Sequence, residues 1–581
     1  MSKKVKILIG VIAILIIISI FIVSFCLINF NKTEKTAKID DWVYNKNDEI
    51  DSYISSSGSS VFSVPTAAES SLSSSSSKFS DSNIGFSVGG SKNVNNFREN
   101  IKNGYFPIST DITYNGLFYD YYFETGDKKT SEEMFYPSYS TAVSKDPISS
   151  NSEYYMTVGL NSNIKQSDFK RKKQNIVVLL DISGSMESSL NSYYYDNSLL
   201  SKFMDNKSKM QLANESVNLM IDELKDDDRL AMVLFDDDAY LAKNFNLIKD
   251  TDISKLKNHI LEIEACGGTN FEKGYKKATE LFSNELLDDK EYDNRIIVIT
   301  DAMPNMGTTN KSELSKYIES NSEKGIYTSF IGVGVDFNTE VIESLSNVKG
   351  ANYYSISSSK QFKKILGEEF DYMVTPLVFD LNLNFESDGY EIDKIYGTDS
   401  QDKSYGNIMK VNTLFPSNTN EDSEAKGGVI LLKLKKKENS TNNKIKLNVS
   451  YTDRDGNQHT NSQVVEFNKD DEYYENTGIR KAICLTRYAN VLKNWILYER
   501  SNENDKFYID ENFGIADCEY SKDEIRKLLG ENERTSVKLT VSDKYKDIFK
   551  KIKDYLENEK NEVKDESLKQ ETELLEKLIN S

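Results

Sequence analysis

The chain has 581 residues and a formal net charge of −20, and 38% of its residues are hydrophobic. This length corresponds to about three or four domains, and the apolar content excludes wholesale disorder. The acidic balance argues against nucleic acid as a partner, while the two histidines and four cysteines form neither a zinc-peptidase motif nor a Cys-x-x-Cys pair.

The N-terminal end carries the most apolar segment of the chain. Residues 7–28 contain no charge, and as a helix they would span about 33 Å, close to the thickness of a bilayer core. We therefore predict that residues 1–29 form a cytoplasmic tail and a single transmembrane anchor, with a cleaved signal peptide or a buried helix as alternatives. Lysines before the segment favour a cytoplasmic tail and an extracytoplasmic body at the cell membrane, although lysines after it reduce the charge asymmetry.

A polar region follows the apolar segment. Residues 30–82 are rich in serine from Ser52 onward, and this composition predicts a flexible stalk that buries no core. Residues 83–163 are aromatic-rich and are predicted to form a globular segment associated with the next domain. Within it, NVNNFRENIKNG predicts a short helix that ends before Pro107, and YNGLFYDYYFETG predicts a strand or a packed aromatic patch.

Residues 173–365 alternate between apolar runs and amphipathic segments. This pattern predicts an α/β domain with a doubly wound, mostly parallel sheet, because near-continuous Val/Ile/Leu runs suit strands that are covered on both faces. The predicted strands are IVVLLD (176–181), RLAMVLF (229–235), RIIVIT (295–300), IYTSFIGVG (326–334) and ANYYSI (351–356); the predicted helices are 202–224, 271–287, 311–322 and 339–345.

The pattern changes again after this domain. Residues 375–468 alternate between apolar and polar side chains, which predicts antiparallel strands of a small β-sandwich. The Asp455-Gly456 pair is interpreted as a hairpin turn, since the spacing does not fit a calcium loop. Residues 475–581 are predicted to be mainly helical. Cys484 and Cys518, both in this region, could form a disulfide or remain free thiols.

Three loops in the α/β domain carry short oxygen-bearing side chains. Asp181, Ser183 and Ser185 follow the first strand, Thr269 lies in a Gly-Gly-Thr loop that opens a helix, and Asp301 directly follows RIIVIT. Ligands bind at the carboxyl ends of parallel strands, so these loops are expected to converge. Two carboxylates and three hydroxyls form an all-oxygen site suited to Mg²⁺, with Mn²⁺ or Ca²⁺ possible. No nucleophile, general base or phosphate loop accompanies them, so an enzyme is not expected.

These motifs resemble those of von Willebrand factor type A domains that have an intact metal-ion-dependent adhesion site. The resemblance implies that Asp181, Ser183, Ser185, Thr269 and Asp301 are the metal ligands, and that the domain binds proteins through the metal. The usual Thr-Asp-Gly is Thr-Asp-Ala in this chain. The three consecutive aspartates 236–238 are interpreted as a solvated loop in preference to an auxiliary metal site.

The resemblance extends, with lower specificity, to bacterial envelope proteins described as calcium-activated-chloride-channel-like, through residues 86–122 and the β-rich region. We therefore expect a membrane-anchored adhesion or scaffolding module that captures a carboxylate of a partner protein. A regulator of a membrane channel or envelope complex is the main alternative, and a cytoplasmic partner of an AAA-type ATPase is a further one. The oligomeric state is not determined by the sequence.

Overall fold

The computed structural model describes residues 38–45, 82–126, 132–190, 207–301, 311–335, 339–398, 407–438, 442–467, 471–500, 514–515 and 537–581. Within these ranges, no helix is both long enough and apolar enough to cross a bilayer. The predicted anchor at residues 7–28, most of the predicted stalk, and Cys518 lie outside the described residues.

The segment before the α/β domain contributes strands to both large sheets and two short helices. Val94, Phe97 and Ile101 lie on one face of its first helix and are buried, as the helical spacing of the sequence predicts. The aromatic run forms a second helix, which Thr113 caps through its side chain, and then a short strand. The elements are β1 (Asn83–Val88), β2 (Gly90–Ser91), α1 (Asn95–Lys102), α2 (Tyr114–Tyr119), β3 (Tyr122–Phe123), β4 (Phe135–Lys145) and β5 (Ser152–Lys165).

The α/β domain is built around a seven-stranded sheet. Its elements are β6 (Lys173–Asp181), α3 (Lys209–Asp222), β7 (Arg229–Phe235), β8 (Ala239–Leu247), α4 (Ile253–Leu261), α5 (Phe271–Glu280), α6 (Asn284–Asp288), β9 (Tyr292–Thr300), α7 (Lys311–Glu323), β10 (Ile326–Val333), α8 (Thr339–Ser346), β11 (Asn352–Ile356), α9 (Ser359–Lys363) and α10 (Phe370–Met373). The strand order is β2-β11-β10-β9-β6-β7-β8. Neighbouring strands are parallel except at the β7–β8 edge.

Both faces of this sheet are buried, which explains the continuous apolar runs of its strands. Ile176, Val178 and Leu180 of β6 pack on the side of α3 and α4. Val177 and Leu179 point to the opposite side and pack with α5 and α7. The predicted doubly wound, mostly parallel sheet is thus observed. The antiparallel strand β8 and helix α4 were not predicted, and the helix predicted over 271–287 is divided into α5 and α6.

An antiparallel sheet lies beside the α/β domain. Its later strands are β12 (Val378–Glu386), β13 (Tyr390–Tyr396), β14 (Ile408–Ser417), β16 (Val429–Lys436), β17 (Lys444–Asp453), β18 (Gln458–Glu466) and β19 (Tyr473–Tyr474), while β15 (Ala425–Lys426) pairs only with β3. The sequence analysis placed these strands in a small β-sandwich over residues 375–468, but β1, β4 and β5, which precede the α/β domain, belong to the same sheet. The sequence does not show this pairing, because strands that are far apart in the chain pair without any local sequence pattern. The predicted hairpin at Asp455-Gly456 joins β17 to β18.

The described residues of the C-terminal region are mainly helical, as predicted. They include α11 (Thr477–Arg500), α12 (Asp543–Val563) and α13 (Lys569–Ile579). Helix α11 is buried along most of its length and packs with α1, α12 and α13 in one hydrophobic core. Cys484 lies in this core as a free thiol.

Candidate metal centre

The first loop of the candidate centre follows β6 at the carboxyl edge of the parallel sheet. The backbone N–H of Ser183 donates to Oδ1 of Asp181 at 2.9 Å, and the hydroxyls of Ser183 and Ser185 lie 3.1 Å apart. A short 3₁₀ turn over Gly184–Glu187 brings Ser185 back toward Ser183. All three side chains are buried, with exposures of 0%, 1% and 7%. Their oxygens therefore face a desolvated space.

The second loop, which carries Thr269, is bonded directly to the first. Cys266 N–H donates to the carbonyl of Ile182 at 2.6 Å, and Gly184 N–H donates to the carbonyl of Gly267 at 3.0 Å. Gly267 has a φ of +72°, which lets the chain turn sharply between these two bonds. Thr269 itself is 2% exposed. The structure thus brings the Gly-Gly-Thr loop against the Asp-x-Ser-x-Ser loop, as the sequence predicted.

The aspartates after β7 hold this second loop in place. The backbone N–H of Gly268 donates to Oδ1 of Asp237 at 2.8 Å, and Asn270 N–H donates to the carbonyl of Asp236 at 2.6 Å. Asp236 is buried at 4% exposure. The interpretation of these residues as a solvated loop is therefore wrong for Asp236, because its side chain is buried and accepts a hydrogen bond from the backbone N–H of Asp238 at 2.9 Å.

The third loop, which carries Asp301, is bonded to the first through the residue before it. Thr300, the last residue of β9, donates its hydroxyl to Oδ2 of Asp181 at 2.5 Å. Oδ2 of Asp301 lies 3.1 Å from Nζ of Lys209, and both side chains are fully buried. Among the described residues, Oδ1 of Asp301 has no hydrogen-bond partner. An unpartnered buried carboxylate oxygen is costly unless a cation or a donor completes it.

The electrostatics of the centre favour a positively charged ligand. Burial raises the pKa of Asp181 to about 7, and the negative charge of Asp301 adds to the effect. Hydrogen bonds from Ser183 and Thr300 act in the opposite direction and lower this pKa, but they do not compensate for the burial. A divalent cation between the loops would stabilise the ionised form of both carboxylates.

The donor set fits a hard cation. The side chains are carboxylates and hydroxyls, and Sγ of Cys266 lies 3.6 Å from Oδ2 of Asp236. In the part of the chain that the structure describes, no cluster of three or more His, Cys, Asp or Glu side chains is arranged to bind a metal ion. A metal here would therefore depend on hydroxyl oxygens as well as on Asp181 and Asp301, a chemistry that suits Mg²⁺.

Two residues of this centre were missed by the sequence analysis. Lys209 begins α3 and reaches Asp301 across 92 positions of the chain, and Thr300 reaches Asp181 across 119. Thr300 belongs to the Thr-Asp-Ala motif, but the sequence analysis assigned no role to its hydroxyl, and Lys209 belongs to no motif. A lysine at the start of an amphipathic helix is usually solvated, so only the fold reveals that this one is buried.

The comparisons with known proteins agree with the fold of this region. Residues 175–368 match the family model of the von Willebrand factor type A domain. An uncharacterized protein of Escherichia coli K12, YfbK, is 25% identical over 217 residues, which cover 36% of this chain and 33% of YfbK. The inter-alpha-trypsin inhibitor heavy chain H2 of Mus musculus is 24% identical over 221 residues, which cover 36% of this chain and 21% of the mouse protein.

The chain thus spans about a third or less of the length of these curated relatives. Among solved structures, the von Willebrand factor type A protein from Catenulispora acidiphila is similar at 12% identity and a TM-score of 0.40, with 71% of this chain and 99% of that chain covered. Such domains generally mediate protein binding.

Proposed function

We propose that this chain, in which residues 175–368 match the model of the von Willebrand factor type A domain, captures an acidic side chain of a partner protein through a divalent metal ion. The observation that carries the proposal is Oδ1 of Asp301, a buried carboxylate oxygen that has no hydrogen-bond partner among the described residues and whose carboxylate is close enough to Asp181 to raise the pKa of that residue. Together with the buried hydroxyls of Ser183 and Ser185, the two carboxylates would form a desolvated, oxygen-lined site.

Asp181, Ser183, Ser185, Thr269 and Asp301 would hold the ion, and Mg²⁺ is the preferred metal, with Mn²⁺ or Ca²⁺ as alternatives. A bound cation supplies Lewis-acid attraction for an anionic oxygen from outside the chain. Because Lys209 already balances one of the two carboxylates, the loaded site would retain net positive charge. This charge is the reason to expect a carboxylate as the partner group.

The same proposal includes the location of the protein. The uncharged segment 7–28 is long enough to cross a bilayer as a helix, and the lysines before it favour a cytoplasmic tail. The body would then lie outside the cytoplasm, where it would act as an adhesion or scaffolding module. The resemblance to channel-like bacterial envelope proteins supports this location.

Calorimetric titration with Mg²⁺, Mn²⁺ and Ca²⁺ tests the metal centre. The wild-type protein is expected to bind Mg²⁺, and Asp181→Asn is expected to abolish binding. Asp238→Asn is the matched control, because this carboxylate lies at the same edge of the sheet but its side chain is 63% exposed. Equal Mg²⁺ binding by wild type and Asp181→Asn would refute the proposed centre.

Partner capture is tested separately. Proximity labelling from the extracytoplasmic face would nominate partners, whose binding is then measured with purified proteins in Mg²⁺ and in EDTA. Binding should require Mg²⁺, should be lost in Asp181→Asn, and should be lost when one acidic residue of the partner is neutralised. Binding that is indifferent to all three changes would contradict metal-mediated capture and favour a regulator that contacts its complex through another surface.

A further inference from the structure

Strand β18 forms an open edge of the antiparallel sheet. It pairs with β17 on one side, and no other described strand pairs with its opposite side. The pairing with β17 runs from Lys444 opposite Glu466 to Thr452 opposite Gln458 without a shift in register. Nine residues of regular strand extend about 30 Å, so β18 is long enough to pair with another strand of the same length.

The hydrogen-bonding pattern of the hairpin shows which backbone groups of β18 are open. The N–H of Phe467 donates to the carbonyl of Asn443, and the N–H of Asp453 donates to the carbonyl of Asn457. Residues of an antiparallel pair alternate between hydrogen-bonded and non-hydrogen-bonded positions, so the odd-numbered residues of β18 bond to β17. The N–H and C=O groups of the even-numbered residues point away from β17; these residues are Gln458, Thr460, Ser462, Val464 and Glu466.

The other edges of the two large sheets are short, irregular or covered. Strand β2 has two residues, and β13 carries three charged side chains and a register shift between Ile392 and Lys394. Strand β4 contains Pro137 and pairs with β19. Residues 38–45, which fall in the range predicted as a stalk, donate hydrogen bonds along β8 and cover it in part. Such features prevent one sheet edge from pairing with another.

Strand β18 has none of these protective features. It contains no proline, lysine or arginine, and its single carboxylate, Glu466, lies at its last position. This carboxylate already forms an ion pair at 3.1 Å with Lys444 of the same hairpin. The backbone groups of β18 are therefore open to another strand along its whole length.

Contacts at the start of β18 hold the strand in place. Nδ1 of His459 lies 2.7 Å from Oε2 of Glu133, and Nε2 lies 3.0 Å from Oδ2 of Asp453. The imidazole also stacks on Tyr451, with ring centroids 4.8 Å apart. A strand that is already ordered loses little conformational entropy when it pairs, which favours association.

The side chains of β18 are complementary to those of a second, antiparallel β18. With a two-fold axis at Ser462, Thr460 would lie opposite Val464 of the other copy, and Gln458 would lie opposite Glu466. The side chain of Val464 is 56% exposed, and Thr460 of the other copy would cover part of it. No pair places two charges of the same sign opposite each other, so no cross-strand repulsion opposes the contact.

We propose that β18 is a self-association surface, at which a second copy of this chain adds its own β18 in antiparallel orientation with Ser462 on the two-fold axis. The even-numbered residues of the two strands would exchange N–H···O=C bonds, and one continuous sheet would run through both copies. One pair of strands is a small interface, so a reversible dimer at micromolar concentrations is expected. The pairing depends on neither the metal centre nor the anchor of the proposed function.

Disulfide trapping tests the register of this pairing. Ser462→Cys is introduced into the full-length protein in detergent, in a background whose other cysteines are replaced by serine except the buried Cys484. In the proposed dimer the two Cα atoms at position 462 lie about 5.5 Å apart, within the range of a disulfide. Thr460→Cys is the matched control, because the two copies of position 460 would be offset by four residues, about 14 Å along the strand.

We expect the covalent dimer to form at least tenfold faster from Ser462→Cys than from Thr460→Cys under mild oxidation. Equal rates would indicate random collisions and would overturn the inference. The absence of a covalent dimer from Ser462→Cys would overturn it as well, and would favour a strand of another protein, or another segment of this chain, at this edge.

Opposite charges at position 462 provide a second test. Ser462→Lys and Ser462→Glu each place like charges opposite each other across the axis, and each should weaken self-association about tenfold or more in sedimentation equilibrium. An equimolar mixture of the two variants should recover the wild-type association, because lysine then faces glutamate. Both variants lose the hydrogen bond from Ser462 Oγ to Asn448 at 2.8 Å, so the loss of this bond cannot explain a recovery in the mixture.

Three results of this experiment would overturn the inference. The wild-type protein could be monomeric at high micromolar concentration, or the mixture could fail to recover. A dimer that persists unchanged in both variants would show that another part of the chain holds the copies together. Titration with Mg²⁺ reports on the metal centre and is independent of all three results.

Discussion

Nζ of Lys209 lies 3.1 Å from Oδ2 of Asp301, and neither side chain is exposed to solvent. This ion pair connects the start of α3 to the end of β9. It places a positive charge beside the two buried carboxylates of the candidate site. This pairing leaves Oδ1 of Asp301 as the oxygen without a hydrogen-bond partner among the described residues. The ammonium group therefore changes the charge around the two carboxylates and leaves Oδ1 of Asp301 as the oxygen that the proposed cation would meet.

Lys209→Met should tighten Mg²⁺ binding about tenfold or more, because it removes a positive charge that repels the metal. In metal-free protein the same change should lower the free energy of unfolding by about 3–5 kcal/mol, since Asp301 loses its buried partner. Calorimetry and urea unfolding with and without Mg²⁺ measure the two effects. Lys207→Met is the control, because that side chain is 51% exposed. Weaker Mg²⁺ binding by Lys209→Met would contradict the repulsion argument.

Gly267→Ala should weaken Mg²⁺ binding by distorting the loop that carries Thr269. A Cβ at this position would lie 2.9 Å from Oδ2 of Asp236, and φ is +72°. Gly456→Ala provides a matched control, because its φ is +88° but a Cβ there has nothing within 4 Å. Both changes should cost about 1–2 kcal/mol of backbone strain in unfolding experiments, but only Gly267→Ala should alter the titration with Mg²⁺. Equal Mg²⁺ affinities of wild type and Gly267→Ala would contradict this prediction and show that the loop accommodates the added Cβ.

Asp111 should make the stability of the protein depend on pH. Burial raises the pKa of Asp111 to about 6, although its carboxylate accepts hydrogen bonds from Thr339, Ile108 and Asn96. Between the ordinary pKa and about 6, the folded state holds a proton that the unfolded state has lost, so the free energy of unfolding falls as pH rises through this window. Across this window, the free energy of unfolding is expected to fall by about 3 kcal/mol.

Asp111→Asn isolates this contribution. The difference in unfolding free energy between the variant and the wild-type protein should change between pH 4 and pH 6 and stay constant above pH 7. Urea unfolding at a series of pH values measures it. A difference that is independent of pH would mean that Asp111 is ionised in the folded state throughout the range.

Glu571 connects the last helix of the chain to the segment that precedes the α/β domain. Its carboxylate accepts hydrogen bonds from the guanidinium of Arg98 and, at 2.7 Å, from the hydroxyl of Tyr121. Glu571→Ala should lower the free energy of unfolding by about 3–5 kcal/mol, because Arg98 would remain buried with one partner fewer.

Hydrogen exchange should show faster exchange in α13 and α1 of Glu571→Ala. Glu573→Ala in the same helix is the control, since its side chain is 65% exposed and its ion pair with Lys569 lies at the surface. Unchanged exchange in α13 would show that apolar packing alone holds this helix.

Much of the α/β domain could be predicted because its signal is local. The apolar runs of β6, β7, β9, β10 and β11 follow from strands that are buried on both faces, and each run reports its own environment. The three loops were predicted to converge because the carboxyl ends of parallel strands meet at one edge. Strand β8 was missed because its edge position leaves it half-exposed, so its sequence lacks a continuous apolar run.

The residues around the site could not be predicted for a different reason. Lys209, Thr300 and Asp236 act through partners in other loops, and the surface lysines of the chain have the same local composition as Lys209. The composition of the antiparallel sheet was mispredicted for a similar reason. Strands β1, β4 and β5 were not assigned to it, because they pair with strands that lie far away in the chain.

The sequence by itself determined the parallel strands of the α/β domain, its doubly wound architecture and the oxygen-bearing residues at its strand ends, since periodicity and loop composition depend on a few neighbouring residues. Only the tertiary structure decided which charges are buried, which loops bond to each other, and that residues 38–45 lie on the edge of the sheet. Desolvation and pairing depend on what surrounds a side chain in space, and those neighbours come from distant parts of the chain.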